Sequence, residues 1–176
     1  MLGEWLGPAY GHEAATNPMH ALERGEMAIP DFEQELARRL TTHDGRSVEP
    51  EGLLSRMFAG FRKQQPMFDV VRRLRGEGVL TALLSNSWGM DYPREEWDEI
   101  FDATVISGEV GMRKPEPAIY RRAAELLDVE PAECVFVDDL GANVKGAVAV
   151  GMVGVKFVSA EQAIDELEAL FGLVLR

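Results

Sequence analysis

The chain has a single cysteine, Cys134, in 176 residues. A disulfide framework is therefore excluded, and a reducing cytoplasmic compartment is favoured. Cys134 opens an apolar stretch, where a small buried hydrophobe is the expectation over a nucleophile. Histidine is scarce too: His12, His20 and His43 lack metal-ligand spacing and are assigned to surface or packing. Basic residues are outnumbered, 18 against 30 acidic, for a net charge of -12. Nucleic acid and anionic membrane surfaces both need basic patches, so neither is expected as a partner. No long apolar run is present. The run from Ala147 to Val155 is too short to span a bilayer and contains Gly151 and Gly154. The N-terminus shows no basic segment followed by an apolar core, so no signal peptide is visible. Internal repeats and low-complexity segments are also lacking.

What is present is enough apolar residue, 46%, to build one compact domain or a domain with a small lobe. The most informative segment is Val135-Phe136-Val137-Asp138-Asp139. It reads as a strand buried on both faces that ends, without a spacer, in two carboxylates. Adjacent acids repel unless a cation or a raised pKa relieves them. Open α/β sheets hold their ligands just beyond the carboxyl ends of the strands. The pair therefore reads either as a metal site or as a turn opening the next helix, with Asp139 or Asn143 as its cap.

Other strand ends bear on that choice. Val79 to Leu84 is a second apolar strand, and it stops at Ser85-Asn86-Ser87-Trp88. Thr104 to Ser107 leads into Gly108-Glu109-Val110-Gly111-Met112-Arg113-Lys114-Pro115. A hydroxyl and an amide, then a lysine, then an acid pair form an ordered set. Phosphoryl transfer needs that set: donors for phosphate oxygens, a fixed positive charge and a magnesium ligand. Arg113 and Lys114 would make a local basic pocket in an otherwise acidic chain.

The first third reads as helical. One helix ends across Leu22 to Met27. A second starts at Pro30 and carries Phe32, Leu36 and Leu40 at helical spacing. Thr41 to Ser47 is a polar loop. Pro50 opens a third helix with Leu53, Leu54, Met57, Phe58 and Phe61, and Pro66 starts a fourth with Met67, Val70, Val71 and Leu74. From Val79 onward strands and helices alternate. The helices are expected around Arg94 to Ile100, Pro115 to Leu127, Asn143 to Val150 and Ala160 to Leu170, and the last strand at Val153 to Val158. That alternation predicts a parallel sheet with helices on both faces.

The segments Leu84-Ser85-Asn86-Ser87-Trp88, Gly111 to Tyr120 and Val135 to Asn143 together resemble the haloacid dehalogenase-like (HAD) hydrolase superfamily. The likeness is greatest to the N-terminal phosphatase domain of soluble epoxide hydrolases and to related acyl-CoA dehydrogenase-linked proteins. It covers nearly the whole chain and implies an α/β fold, a three-layer Rossmann-like parallel sheet with a small helical cap. The cap would be residues 1–65 and the core residues 66–176. By the same resemblance, Ser85 donates its hydroxyl to a phosphoryl oxygen with Asn86 beside it, and Lys114 neutralises phosphate and nucleophile. Asp139 binds Mg2+ directly, and Asp138 supports it.

One departure is severe. The family's first segment is a central strand ending in Asp-x-Asp, which supplies the nucleophile, and no such segment follows a strand here. The only acids ahead of the helices are Glu4 and Glu13. In the family layout the absent strand lies between those ending at Ser85 and Asp139. A misplaced start, a chain cut at the cap and a natural variant without chemistry are the three explanations, and truncation is favoured. The expectation is a magnesium-dependent phosphatase of small phosphorylated metabolites, cut before its nucleophile and inactive as given. The alternatives are a catalytically inactive binding or regulatory module, or a haloacid dehalogenase, against which the acid pair speaks. Unpaired strand edges would also invite self-association.

Overall fold

The computed structural model describes residues 17–60, 64–88 and 94–176. Met1 to Tyr10, His12, Glu13 and Phe61 fall outside the described residues. The helical first third follows from its caps and prolines. Asn17 caps α1 (Pro18–Glu23), its side chain accepting the Met19 N–H at 2.9 Å. Helix α2 (Ile29–Arg38) carries Pro30 in its first turn and buries Phe32, Leu36 and the carboxylate-bearing Glu33. That carboxylate accepts the N–H groups of Gly52 and Leu54 at 3.1 and 2.9 Å, which satisfies the N-cap donor and one first-turn donor of α3 (Leu53–Phe58). Met19, Leu22, Phe32, Leu36, Leu53 and Leu54 form one core, with Phe58 and Trp88 packed against it. The polar stretch expected as a loop is closed by an isolated antiparallel bridge, Thr41 to Ser47.

Helix α4 (Gln65–Gly76) leads into the alternating part. Strand β1 (Ala82–Ser85) pairs in parallel with β2 (Ala103–Ile106), with α5 (Arg94–Asp98) between them. A short helix, α6 (Ser107–Val110), follows β2 directly, so Ser107 starts a helix instead of ending a strand. Helix α7 (Pro117–Leu126) and a 3-10 turn at Pro131–Glu133 precede β3 (Val135–Asp138). Helix α8 (Gly141–Ala149) returns the chain to β4 (Val153–Lys156), which pairs in parallel with β3, and α9 (Ala160–Phe171) closes the fold. The β-α-β rhythm produces parallel strands, as expected. They stand as two separate pairs, β1 with β2 and β3 with β4, and no backbone hydrogen bond joins β1 to β3 among the described residues.

Two apolar cores hold the layers on either side. Val105, Ile119, Tyr120, Ala123, Ala124 and Ala147 pack α7 and α8 against the strands on one side, with Phe136 against them. Val70, Leu74 and Leu167 join α4 to α9 on the other. Between β1 and β3 lies a cavity of 750 Å³ lined by residues of both strands and of α4, including Phe68, Leu83 and Val137. Strand β1 is shorter than the apolar run that predicted it. Leu80 stays outside it and is 51% exposed, because only pairing with β2 fixes this strand and that pairing begins at Ala82.

Candidate active site

Lys114 links the two halves of the sheet. The chain turns after α6 and lays this side chain, 8% exposed, across the carboxyl ends of β1 and β3. Its ammonium donates to the Leu84 carbonyl on β1 at 2.9 Å and to Asp138 Oδ2 on β3 at 2.7 Å. It also stands 5.6 Å from the centroid of the Phe136 ring, within cation–π range. The loop beneath it is held from both sides by one side chain. Lys114 N–H donates to Asn86 Oδ1 at 2.8 Å, and Asn86 Nδ2 donates to the Lys114 carbonyl at 3.0 Å. Asn86 thus spends its amide on the lysine backbone.

Asp138, at the tip of β3, is saturated with donors. Oδ1 accepts the Leu140 N–H at 2.8 Å and Asn143 Nδ2 at 3.0 Å, while Oδ2 accepts Lys114 and, at 3.1 Å, Asn143 Nδ2 again. Four short contacts to a buried carboxylate are what burying that charge requires. Behind it, the Tyr120 hydroxyl donates to the Asn143 carbonyl at 2.7 Å, and its ring stands edge-on to Phe136 at 5.2 Å. Burial and, next, the Asp138 charge push the Tyr120 phenol far above its ordinary value, so it remains a neutral donor.

Asp139 is the opposite case. It is exposed, one residue beyond β3, and its carboxylate makes no hydrogen bond or ion pair among the described residues. Ser85 ends β1 half-buried, and its hydroxyl is likewise uncommitted among them. The chain beyond Ser85 is fixed by Ser107, whose Oγ accepts the Ser87 N–H at 2.8 Å and donates to the Ser87 carbonyl at 3.0 Å.

Arg113, expected to help form a basic pocket, is committed elsewhere. Its Nε lies 2.5 Å from Glu23 Oε2 on α1, with both side chains mostly buried. Arg24 meets Glu116 at 3.2 Å in the reverse sense, so two crossed ion pairs tie α1 to the residues flanking Lys114. Sequence reasoning did not find these pairs, nor the clamp by Asn86. Asn143 had appeared there only as a helix cap, though its place in the first turn after an acid-tipped strand was the available signal.

Among the described residues no three His, Cys, Asp or Glu side chains converge to cage a metal. The free Asp139 carboxylate next to a saturated Asp138 fits a different arrangement, in which magnesium takes one or two carboxylates and fills its shell with water and substrate oxygens. No helix among the described residues is long and apolar enough to cross a membrane.

A model of the haloacid dehalogenase-like hydrolase family matches residues 24–151. The chain belongs to that family. It is 28% identical over 184 residues to bifunctional epoxide hydrolase 2 of Rattus norvegicus, covering 96% of this chain and 33% of that protein. It is 37% identical over 116 residues to the sesquiterpene phosphatase astK of Aspergillus oryzae, covering 63% of this chain and 59% of that one. A HAD-like family hydrolase of Porphyromonas gingivalis superposes with a TM-score of 0.72 at 23% identity, covering 97% of this chain and 82% of that one. The chain thus spans a third of the length of the first of these relatives and under two thirds of the second.

Proposed function

We propose that the chain forms the phosphate-binding and magnesium-binding part of a phosphatase site for small phosphorylated metabolites. The observation that carries this is the meeting of the β1 end, Lys114 and the Asp138–Asp139 pair at one edge of the fold. Similarity to a protein named as a phosphatase supports the reading.

The residues divide the work. Ser85, uncommitted at the β1 end, donates its hydroxyl to a phosphoryl oxygen. Asn86 holds the lysine loop and so sets where charge is presented to the phosphate. Lys114 has three donors and spends two on Leu84 and Asp138, which leaves one for the substrate. Asp139 is the direct magnesium ligand, with Asp138 behind it orienting Lys114 and Asn143. Magnesium, when bound, supplies charge neutralisation at the phosphoryl oxygens. Residues 1–65 act as a cap that covers the site and selects the substrate, and the single cysteine fits a cytoplasmic setting.

Covalent phosphoryl transfer also needs an attacking carboxylate. Asp138 is occupied on both oxygens and Asp139 is assigned to the metal, so neither serves as the nucleophile, and no Asp-x-Asp after a strand supplies another. The chain alone therefore turns over no phosphate ester. The test is p-nitrophenyl phosphate hydrolysis with magnesium: background rates are expected. Activity that follows the protein through purification and disappears in Asp139→Asn would mean that this chain has a nucleophile of its own.

A further inference from the structure

The Lys114 ammonium is tetrahedral, and two of its N–H bonds are spent, on the Leu84 carbonyl at 2.9 Å and on Asp138 Oδ2 at 2.7 Å. Two directions remain around the nitrogen. The bond to Cε takes one and the third N–H takes the other. The side from which the lysine chain arrives therefore decides where the free donor points, and the loop that carries Lys114 sets that side.

Asn86 does not fix this loop by itself. Its bonds to the Lys114 N–H at 2.8 Å and to the Lys114 carbonyl at 3.0 Å come from one planar amide to one residue, so the loop can still pivot about them. The contacts that stop the pivot come from the end of α1. Glu23 Oε2 meets Arg113 Nε at 2.5 Å, with the two side chains 14% and 13% exposed. Arg24 meets Glu116 at 3.2 Å, and Glu116 accepts the Arg113 N–H at 3.2 Å. Glu116 is 40% exposed and open to screening by salt, so the buried Glu23–Arg113 pair is the stronger tie. The end of α1 is itself closely seated. Gly25, at φ 71°, comes so near that a Cβ there would fall 2.6 Å from the Gly108 carbonyl oxygen.

We infer that Glu23 is a positioning residue for Lys114. Through Arg113 it fixes the side from which the lysine reaches Leu84 and Asp138, and with it the direction of the free N–H. Arg24 supports the same loop through Glu116. That the free N–H meets a phosphoryl oxygen rests on the proposed function, whereas the placement of the ammonium does not.

The experiment follows Lys114 by NMR in the whole chain. Its ammonium lies 5.6 Å from the Phe136 ring centroid, so ring current should set its ε-methylene signal apart from those of other lysines, and Lys114→Met identifies it. In Glu23→Gln this displacement is expected to fall by about half or more, and the Lys114 amide to exchange about tenfold faster. The swapped pair, Glu23→Arg with Arg113→Glu, is expected to restore both. Asp102→Asn, which lowers stability away from the loop, is expected to change neither. In a titration with magnesium present, inorganic phosphate should bind Glu23→Gln about threefold or more weakly than the parent. A Lys114 signal and amide unchanged in Glu23→Gln would overturn the inference. Equal changes in Asp102→Asn would also overturn it, since the effect would then be one of global stability. Phosphate bound equally by the parent and by Glu23→Gln would overturn it as well. No phosphate binding by the parent would contradict the proposed function instead, and the Lys114 signal would still decide the role of Glu23.

Discussion

Lys114 Nζ lies 2.7 Å from Asp138 Oδ2, and the same ammonium holds the Leu84 carbonyl at 2.9 Å. This side chain thus bridges the carboxyl ends of β1 and β3, which share no backbone hydrogen bond among the described residues. Removing it leaves the buried Asp138 charge, among the described residues, with Asn143 and the Leu140 N–H. Lys114→Met is expected to lower unfolding free energy by about 3 kcal/mol, the usual cost of orphaning one partner of a buried pair. Asp139→Asn, at an exposed carboxylate, should stay within about 0.5 kcal/mol of the parent. Urea unfolding of both variants checks the contrast, and equal losses would contradict it.

Asp102 gives a pH-dependent prediction away from the site. Its Oδ2 accepts the Thr81 N–H at 2.8 Å and the Thr81 hydroxyl at 3.2 Å, and Arg75 lies 3.0 Å from Oδ1. The Thr81 backbone bond first, then its hydroxyl and Arg75, hold this carboxyl below the ordinary 3.8. A folded pKa below the unfolded one contributes stability that is complete above pH 3.8 and is lost as pH falls through the lower folded value. Asp102→Asn should cost about 1–2 kcal/mol at pH 7 and flatten the acid limb below pH ~4. An unchanged acid limb would show that the tie is not formed in solution.

Gly146 lies in α8 where a side chain has no room. A Cβ there would fall 2.8 Å from the Pro115 carbonyl oxygen and from the Tyr120 hydroxyl, next to the Lys114 loop. Gly146→Ala should therefore destabilise by about 1–3 kcal/mol despite the better helix propensity of alanine. Gly76 closes α4 with nothing within 4 Å of its would-be Cβ. Gly76→Ala should be neutral or stabilising by up to about 1 kcal/mol. Thermal melts of the two variants separate close packing from intrinsic propensity.

Burial, then the neighbouring Glu133 charge, pushes the Cys134 thiol above its ordinary 9.0. Thiolate is the reactive form, so iodoacetamide labelling of the folded chain at pH 7.5 should be slower than that of a free small-molecule thiol. Mass spectrometry over time reads this directly. Labelling as fast as the free thiol would contradict the burial.

Strand β3 was legible residue by residue, because its apolar run is unbroken and stops at charge. The β1 run was legible only in outline: it was expected at Val79 to Leu84 and forms at Ala82–Ser85, where pairing, which sequence periodicity does not encode, decides the ends. Ser85, Lys114, Asp138 and Asp139 stood out because each follows or ends a strand. The clamp by Asn86 and the pairing of Glu23 with Arg113 join residues 28 and 90 positions apart, so no local pattern announces them. Arg113 was misjudged for that reason: its partner lies on α1.

In the proposed site, Ser85, Lys114 and Asp139 bind phosphate together with magnesium. The most direct measurement is a 31P NMR titration of inorganic phosphate with the chain, with and without magnesium, repeated for Ser85→Ala and Asp139→Asn. Magnesium-dependent broadening of the phosphate resonance is expected, weaker in Ser85→Ala and lost in Asp139→Asn. Broadening that ignores magnesium and both substitutions, or none at all with the parent chain, would contradict it.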